Sequence, residues 1–231
     1  MFSVPSKSPN PEFLKSLNLV VFDLDGTLVD SRRDLAESAN EVLKWHGCAP
    51  HSEEEIGRMV GDGAATLVAR AFAAAGRPQP SEALPEFLEI YNSRLLRFTR
   101  PYPGVVQMLQ RLQPRFVLAV LTNKPLRSTQ EILTGLGLAP FFAGGVRGGD
   151  GPLPRKPDPA GLLELVGASG GTTATTLLVG DSVVDWQTAH AAGVRACLAR
   201  YGFGFDGFPA GRLTASDLVI DAPSELSERL Y

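Results

Sequence analysis

The chain has 231 residues, of which 44% are hydrophobic and 20% charged, and its formal net charge is −3. That composition fits a globular protein with one full core and room for a small second domain, and it excludes a disordered chain. With no basic excess, a nucleic-acid backbone or an anionic membrane is disfavoured as partner, and a small substrate is favoured. Cys48 and Cys197 lie far apart and outside any metal-binding spacing, which predicts no disulfide framework and fits a reducing cytoplasm.

The first residues carry Pro5, Pro9 and Pro11 among polar neighbours and lack the apolar stretch of a secretory signal, so residues 1–17 read as a flexible leader. Val20-Val21-Phe22 then forms a short apolar run rich in β-branched and aromatic residues, the pattern of a buried parallel strand. It stops at Asp23-Leu24-Asp25-Gly26-Thr27. In open α/β sheets ligands gather at the carboxyl ends of strands, so both aspartates are expected to face one crevice. Two like charges so close repel unless a cation lies between them or they differ in protonation, which are the conditions for metal-assisted or acid/base chemistry.

From about Asp30 to Arg100 the pattern is helical, rich in Ala, Glu, Leu and Arg and without a convincing strand. Residues 30–100 therefore read as an inserted domain of about four helices, with hinges near Val29 to Ser31 and Thr99 to Pro103. The remaining chain alternates strand and helix. Strands are expected at Phe116–Leu121, Leu177–Val179, Val194–Leu198 and Leu218–Ile220, and helices at Val105–Leu112, Thr129–Leu136, Pro159–Val166 and Trp186–Ala192. The fold class is α/β: a Rossmann-like parallel-sheet core of residues 18–29 and 101–231 with an inserted helical cap. Gly144 to Pro159 is a Gly/Pro-rich loop long enough to suggest a role in function. His46, His51 and His190 have no metal-binding spacing, and Trp45 and Trp186 read as core residues rather than stacking platforms.

Three more clusters sit where strands end. Thr122-Asn123-Lys124 brings a hydroxyl, an amide and an amine to the sheet edge, suited either to a phosphate or to capping the next helix. Lys156 precedes Pro157, which restricts its backbone to extended conformations; it is either a held ammonium beside the carboxylates or a solvated loop lysine. Gly180-Asp181-Ser182-Val183-Val184-Asp185 adds a third carboxylate at a third strand end. Asp181 suits an oxygen-rich Mg²⁺ site, whereas Asp185 either joins it or closes a Ser182-x-x-Asp185 capping box.

In chain order Asp-x-Asp-Gly-Thr, Leu-Thr-Asn, Lys-Pro and Gly-Asp-Ser-x-x-Asp resemble the motifs of the haloacid dehalogenase superfamily over residues 18 to about 205. Leu121-Thr122-Asn123-Lys124-Pro125, Leu153 to Pro159 and Gly61-Asp62-Gly63 look most like its phosphoglycolate phosphatases. The resemblance implies that Asp23 is the nucleophile forming an aspartyl-phosphate and that Asp25 is the general acid/base. It further implies Mg²⁺ on the side chains of Asp23 and Asp181 and the backbone carbonyl of Asp25, with Asp185 supporting the metal's water shell. Thr122 and Lys156 would bind the phosphoryl group, helped by Asn123. The implied reaction is hydrolysis of a small phosphorylated metabolite, 2-phosphoglycolate first, by a cytoplasmic monomer or homodimer.

A phosphomutase acting on a phosphosugar is the alternative, because the core motifs serve both. The dehalogenase branch does not need Asp25, and the phosphonate hydrolases use a cap lysine where Ile56-Gly57-Arg58-Met59 carries an arginine; Lys44 is the cap's only lysine. A regulatory module without turnover has no use for Asp25. Arg58 is the candidate for a substrate carboxylate, with a solvated helix arginine as the plain alternative.

Overall fold

The structure, a computed structural model, describes residues 11–231. In chain order it contains α1 (Pro11–Ser16), β1 (Leu19–Phe22), β2 (Val29–Asp30), α2 (Arg32–Trp45), α3 (Glu53–Gly57), α4 (Ala64–Ala74), α5 (Ala83–Ser93) and β3 (Arg100–Pro101). There follow α6 (Val105–Leu112), β4 (Val117–Leu121), α7 (Leu126–Gly135), β5 (Val146–Arg147) and α8 (Ala160–Ala168). Last come β6 (Thr176–Gly180), α9 (Val183–Ala192), β7 (Arg195–Ala199), β8 (Leu218–Ile220) and α10 (Pro223–Leu230).

Six strands form one parallel sheet in the order β5-β4-β1-β6-β7-β8. Because side chains alternate along a strand, each apolar run feeds both faces. Val20 and Phe22 of β1 join a core with α6, α10 and the helices between β2 and β3. Leu19 and Val21 join a second core with α8 and α9. The chain passes from β1 to β4 on one side and later to β6 on the other, so β1 is the switch point where a crevice opens at the carboxyl ends of three neighbouring strands.

Four helices lie between β2 and β3, as the helical periodicity of that stretch predicts. Their margins differ from the expectation of no strand: Val29 pairs with Pro101 and Asp30 with Arg100 in a two-residue antiparallel ribbon. Beside it Asp34, buried in the first turn of α2, accepts hydrogen bonds from the Phe98 and Thr99 N–H groups at 2.9 and 2.8 Å and from the Thr99 hydroxyl at 2.7 Å. A carboxylate there would ordinarily serve the helix N-terminus from solvent. Here it clasps the start of the helical segment to its end.

Three further expectations are corrected. Pro11–Ser16, expected within a flexible leader, is helical and Leu17 is buried; residues 1–10 of that expectation lie outside the described residues. The Gly/Pro-rich loop contains the edge strand β5, missed because two residues carry no readable alternation. Trp45 is 57% exposed at the C-terminal end of α2, so it is not a core residue. Trp186 is half-buried, stacks on His190 and donates its ring N–H to Asp217 at 3.0 Å. No described helix is long and apolar enough to cross a membrane.

Candidate active site

The carboxyl ends of β1, β4 and β6 bring Asp23, Thr122 and Asp181 to one crevice, all three buried. Asp23 extends the β1 ladder, its N–H donating to the Val179 carbonyl at 2.8 Å, so the nucleophile candidate stands on rigid backbone. Lys156, also buried, lies 2.9 Å from Asp23 Oδ1 and 2.6 Å from Asp185 Oδ1. It is therefore a held ammonium and not a solvated loop lysine.

Asp185 closes the capping box and also meets Lys156. The Ser182 N–H and hydroxyl donate to its Oδ2 at 3.1 and 2.6 Å, closing the capping box of α9, while its Oδ1 takes Lys156. Ligand oxygens of Asp23, Asp181 and Asp185 lie within 4.8 Å of one another. Three buried carboxylates against one ammonium leave two negative charges uncompensated, a donor set that fits a divalent hard cation.

The electrostatics report the same excess. Burial pushes the Asp23 carboxyl up to about 6; Lys156 opposes the rise, and the nearby charge of Asp185 adds to it. Asp181 is raised well above the usual carboxylate range, first by burial and then by Asp185 and Asp23, against the Gly204 N–H that donates to its Oδ2 at 2.7 Å. For Lys156 burial works to lower the pKa, but Asp185 and Asp23 outweigh it and the net direction is upward.

Asp25 keeps its side chain out of that cluster. Its Oδ1 accepts from the Ser31 hydroxyl at 2.6 Å and its Oδ2 from Lys124 Nζ at 2.8 Å. Ser31 is the N-cap residue of α2, yet its hydroxyl makes no capping bond because it is committed to Asp25. The first residue of the helical segment thus orients the acid/base candidate.

Asn123 donates its amide to the carbonyls of Gly61 and Lys156, both at 2.9 Å, tying the loop before α4 to the carboxyl end of β4. Those bonds leave its amide protons engaged with backbone. Thr122 accepts from the Lys124 N–H at 3.2 Å and lines a narrow cavity above Asp23. The cavity, about 50 Å³, is closed from the other side by Leu35, Val60, Leu67, Phe87 and Tyr91. Arg58 is exposed at the C-terminal end of α3 and is not part of that wall.

Sequence reasoning offered Lys124 only as a phosphate partner and Ser31 only as part of a hinge, and it passed over Tyr91 and Gly204. Only Gly204 left a readable signal, the close pair Gly202 and Gly204 just after β7. The Gly/Pro loop does act on the site. Its Asp150 accepts the Leu126 N–H at 2.7 Å, serving the start of α7 where Pro125 offers no capping side chain, and Gly149 donates its N–H to the Lys124 carbonyl at 2.8 Å. A Cβ on Gly149 would overlap the Asn123 backbone.

This sheet, with acids at its switch point and helices closing over them, defines a hydrolase of the haloacid dehalogenase type, and the chain belongs to that family. Its residues 20–199 match the model of the haloacid dehalogenase-like hydrolases. Phosphoglycolate phosphatase of Rhodospirillum rubrum is 42% identical over 193 residues, which cover 80% of each chain. That of Agrobacterium fabrum is 34% identical over 92% of each. The crystal structure of a predicted phosphoglycolate phosphatase from Haemophilus somnus superposes with a TM-score of 0.85 at 32% identity, covering 92% of this chain and 97% of that one. The chain is a phosphatase, similar in sequence and fold to these enzymes.

Gly26 gives a direct test of how tightly the site is assembled. Its φ is +88°, and a Cβ there would collide with the Asp181 carboxylate. Gly26→Ala should lower kcat about 100-fold, the cost of moving a reacting group by about an ångström. Steady-state phosphate release against p-nitrophenyl phosphate measures it; kcat within threefold of wild type would mean that Asp181 need not sit where it does.

Proposed function

We propose that this protein is a Mg²⁺-dependent phosphomonoester hydrolase that works through an aspartyl-phosphate on Asp23 and takes 2-phosphoglycolate as substrate. One observation carries the reading: the buried cluster of Asp23, Asp181 and Asp185, with Lys156 threaded through it, lies at the foot of a small cavity that Asp23 lines. Asp23 attacks phosphorus while Asp25 gives a proton to the departing alkoxide. Asp25 then takes a proton from the water that attacks the phosphorus of the aspartyl-phosphate, releasing phosphate and restoring Asp23. Lys156 anchors one oxygen of Asp23, fixing the plane of the carboxylate, and with Thr122 receives the phosphoryl oxygens. Asp23, Asp181 and the Asp25 carbonyl would hold Mg²⁺, with Asp185 in support; bound there, it neutralises charge that would repel an anionic ester.

The helices between β2 and β3 act as the cap, closing over the ester and keeping bulk water out. Their wall is mainly apolar and offers few partners for sugar hydroxyls, which favours a small alcohol over the phosphosugar of a mutase. The names of the relatives, phosphoglycolate phosphatases from several bacteria, support the same substrate. A panel of 2-phosphoglycolate, ethyl phosphate, glucose 1-phosphate and glucose 6-phosphate, assayed for phosphate release with and without Mg²⁺, tests this. Faster isomerisation than hydrolysis of a phosphosugar, or release indifferent to Mg²⁺, would overturn it.

The charge excess also sets a pH dependence. The folded Asp23 carboxyl titrates near 6 against 3.8 for an unburied one, so between these values the folded state holds more protons than the unfolded state. Its contribution is fully present below about 4 and is lost as pH rises through about 6. Metal-free protein should therefore lose thermal stability over that window, and Mg²⁺ should raise Tm more at pH 7.5 than at pH 4.5. Thermal melts in EDTA and in Mg²⁺ measure it; an Mg²⁺ increment no larger at pH 7.5 would contradict the site.

A further inference from the structure

Beyond the phosphoryl site, the cavity has one end that none of the roles above explains. Lys124 is the one cation among its lining residues. Its side chain is buried, with Nζ 2.8 Å from Asp25 Oδ2 and 4.5 Å from the centroid of the Tyr91 ring. Tyr91 reaches in from α5 and is itself buried; its hydroxyl is near enough to Lys124 to interact with the ammonium but completes no well-formed hydrogen bond. A buried hydroxyl without a well-formed hydrogen bond is costly, so one in a cavity wall calls for a ligand group that completes it. Ser128, another polar lining residue, already donates to Asn92 at 2.9 Å.

We propose that Lys124 and Tyr91 together recognise the carboxylate of the substrate, as the specificity-determining pair of this site. The proposal rests on the hydrolase reading above and extends it to the part of the ester that is not transferred. In 2-phosphoglycolate the carboxylate carbon is two bonds from the ester oxygen. Asp25 serves that oxygen, so a cation already touching Asp25 stands within reach of the carboxylate. An ammonium carries three N–H groups, and Asp25 accepts one of them. Until substrate enters, Asp25 is the counter-ion that makes burial of Lys124 tolerable. The substrate carboxylate takes over that place and frees Asp25 Oδ2 to face the leaving oxygen. The phenol hydroxyl donates to the other carboxylate oxygen from the cap side, so the contact forms only with the helices closed over the site. Leu35, Leu67 and Phe87 leave the rest of the alcohol portion no polar partner, which restricts it to a few atoms.

The experiment is the ratio of kcat/KM for 2-phosphoglycolate to that for ethyl phosphate, which lacks only the carboxylate's charge and oxygens. It is measured on wild type, Lys124→Met, Lys124→Arg and Tyr91→Phe with Mg²⁺ present. Wild type should prefer 2-phosphoglycolate. The ratio should fall about 100-fold in Lys124→Met and about tenfold in Tyr91→Phe, with Lys124→Arg recovering part of it, as expected for loss of charge-assisted hydrogen bonds in a closed site. Wild-type preference for 2-phosphoglycolate with the ratio unchanged in Tyr91→Phe and Lys124→Met overturns this pair and leaves the hydrolase reading standing. Equal wild-type rates on both esters overturn the pair and the 2-phosphoglycolate reading together. Should Lys124→Met be inactive on both esters or fail to fold, the Tyr91→Phe ratio decides: a tenfold fall supports the pair, and the wild-type value overturns it.

Discussion

Asp23→Asn should reduce Mg²⁺-dependent phosphate release by about 10⁴-fold or more, the order expected when the nucleophile of a covalent mechanism is removed. Shape is preserved, since the amide replaces a carboxylate of nearly the same size. Stability should be preserved as well or improved. Burial and the neighbouring carboxylates raise the Asp23 pKa, so at pH 7.5 its ionised form strains the metal-free fold and a neutral amide relieves that strain. Lys156 still keeps Asp185 at 2.6 Å. A dead enzyme with an unchanged or higher Tm in EDTA is the expected outcome. Turnover within tenfold of wild type would remove Asp23 from the nucleophile role, and a large loss of Tm would mean that it acts mainly as a structural ion-pair partner.

Lys156→Met should act on both stability and rate. It deletes the one ammonium inside a group of three buried carboxylates, and breaking a buried ion pair from one side costs about 3–5 kcal/mol. For a chain of this size that lowers Tm by roughly 6–20 °C. The deficit should be smaller at pH 4.5 than at pH 7.5 in EDTA, because protonation of Asp23 removes part of the charge left unpaired. Mg²⁺ should recover part of the stability and little of the activity, since the phosphoryl group has lost its cationic anchor. A variant with wild-type Tm at pH 7.5 in EDTA would show that the ion pair contributes nothing net.

The β1 strand and its two aspartates were legible because both signals are local: an apolar run marks the strand, and acids directly after it mark a strand end in an α/β sheet. The same holds for Asp181 after β6 and for the Ser182 to Asp185 capping box. Contacts that depend on which distant segments meet were not legible. Lys124 turns to a carboxylate 99 residues earlier in the chain, and nothing in Thr122-Asn123-Lys124 says so. Tyr91 lies on the buried face of an amphipathic helix and reads as core, which it also is. Arg58 was singled out for its charge and its nearness to Gly61, yet a position at the end of α3 points to solvent. Asp34 looks like an ordinary first-turn acid until Phe98 and Thr99 are brought beside it.

That last contact bears on how such a protein can diverge. Asp30 pairs with Arg100, and Asp34 holds the N–H of Thr99, so the two stretches of chain that leave and rejoin the core are fastened side by side beyond the carboxyl end of β1. The entropy of closing a loop grows only with the logarithm of its length once its ends are fixed. Whatever lies beyond the clasp can then lengthen, shorten or be exchanged at little cost to the sheet and its carboxylates. The helices from α2 to α5 are in that sense an interchangeable cassette, and new ester specificities can be sampled there while the phosphorus-handling residues stay as they are.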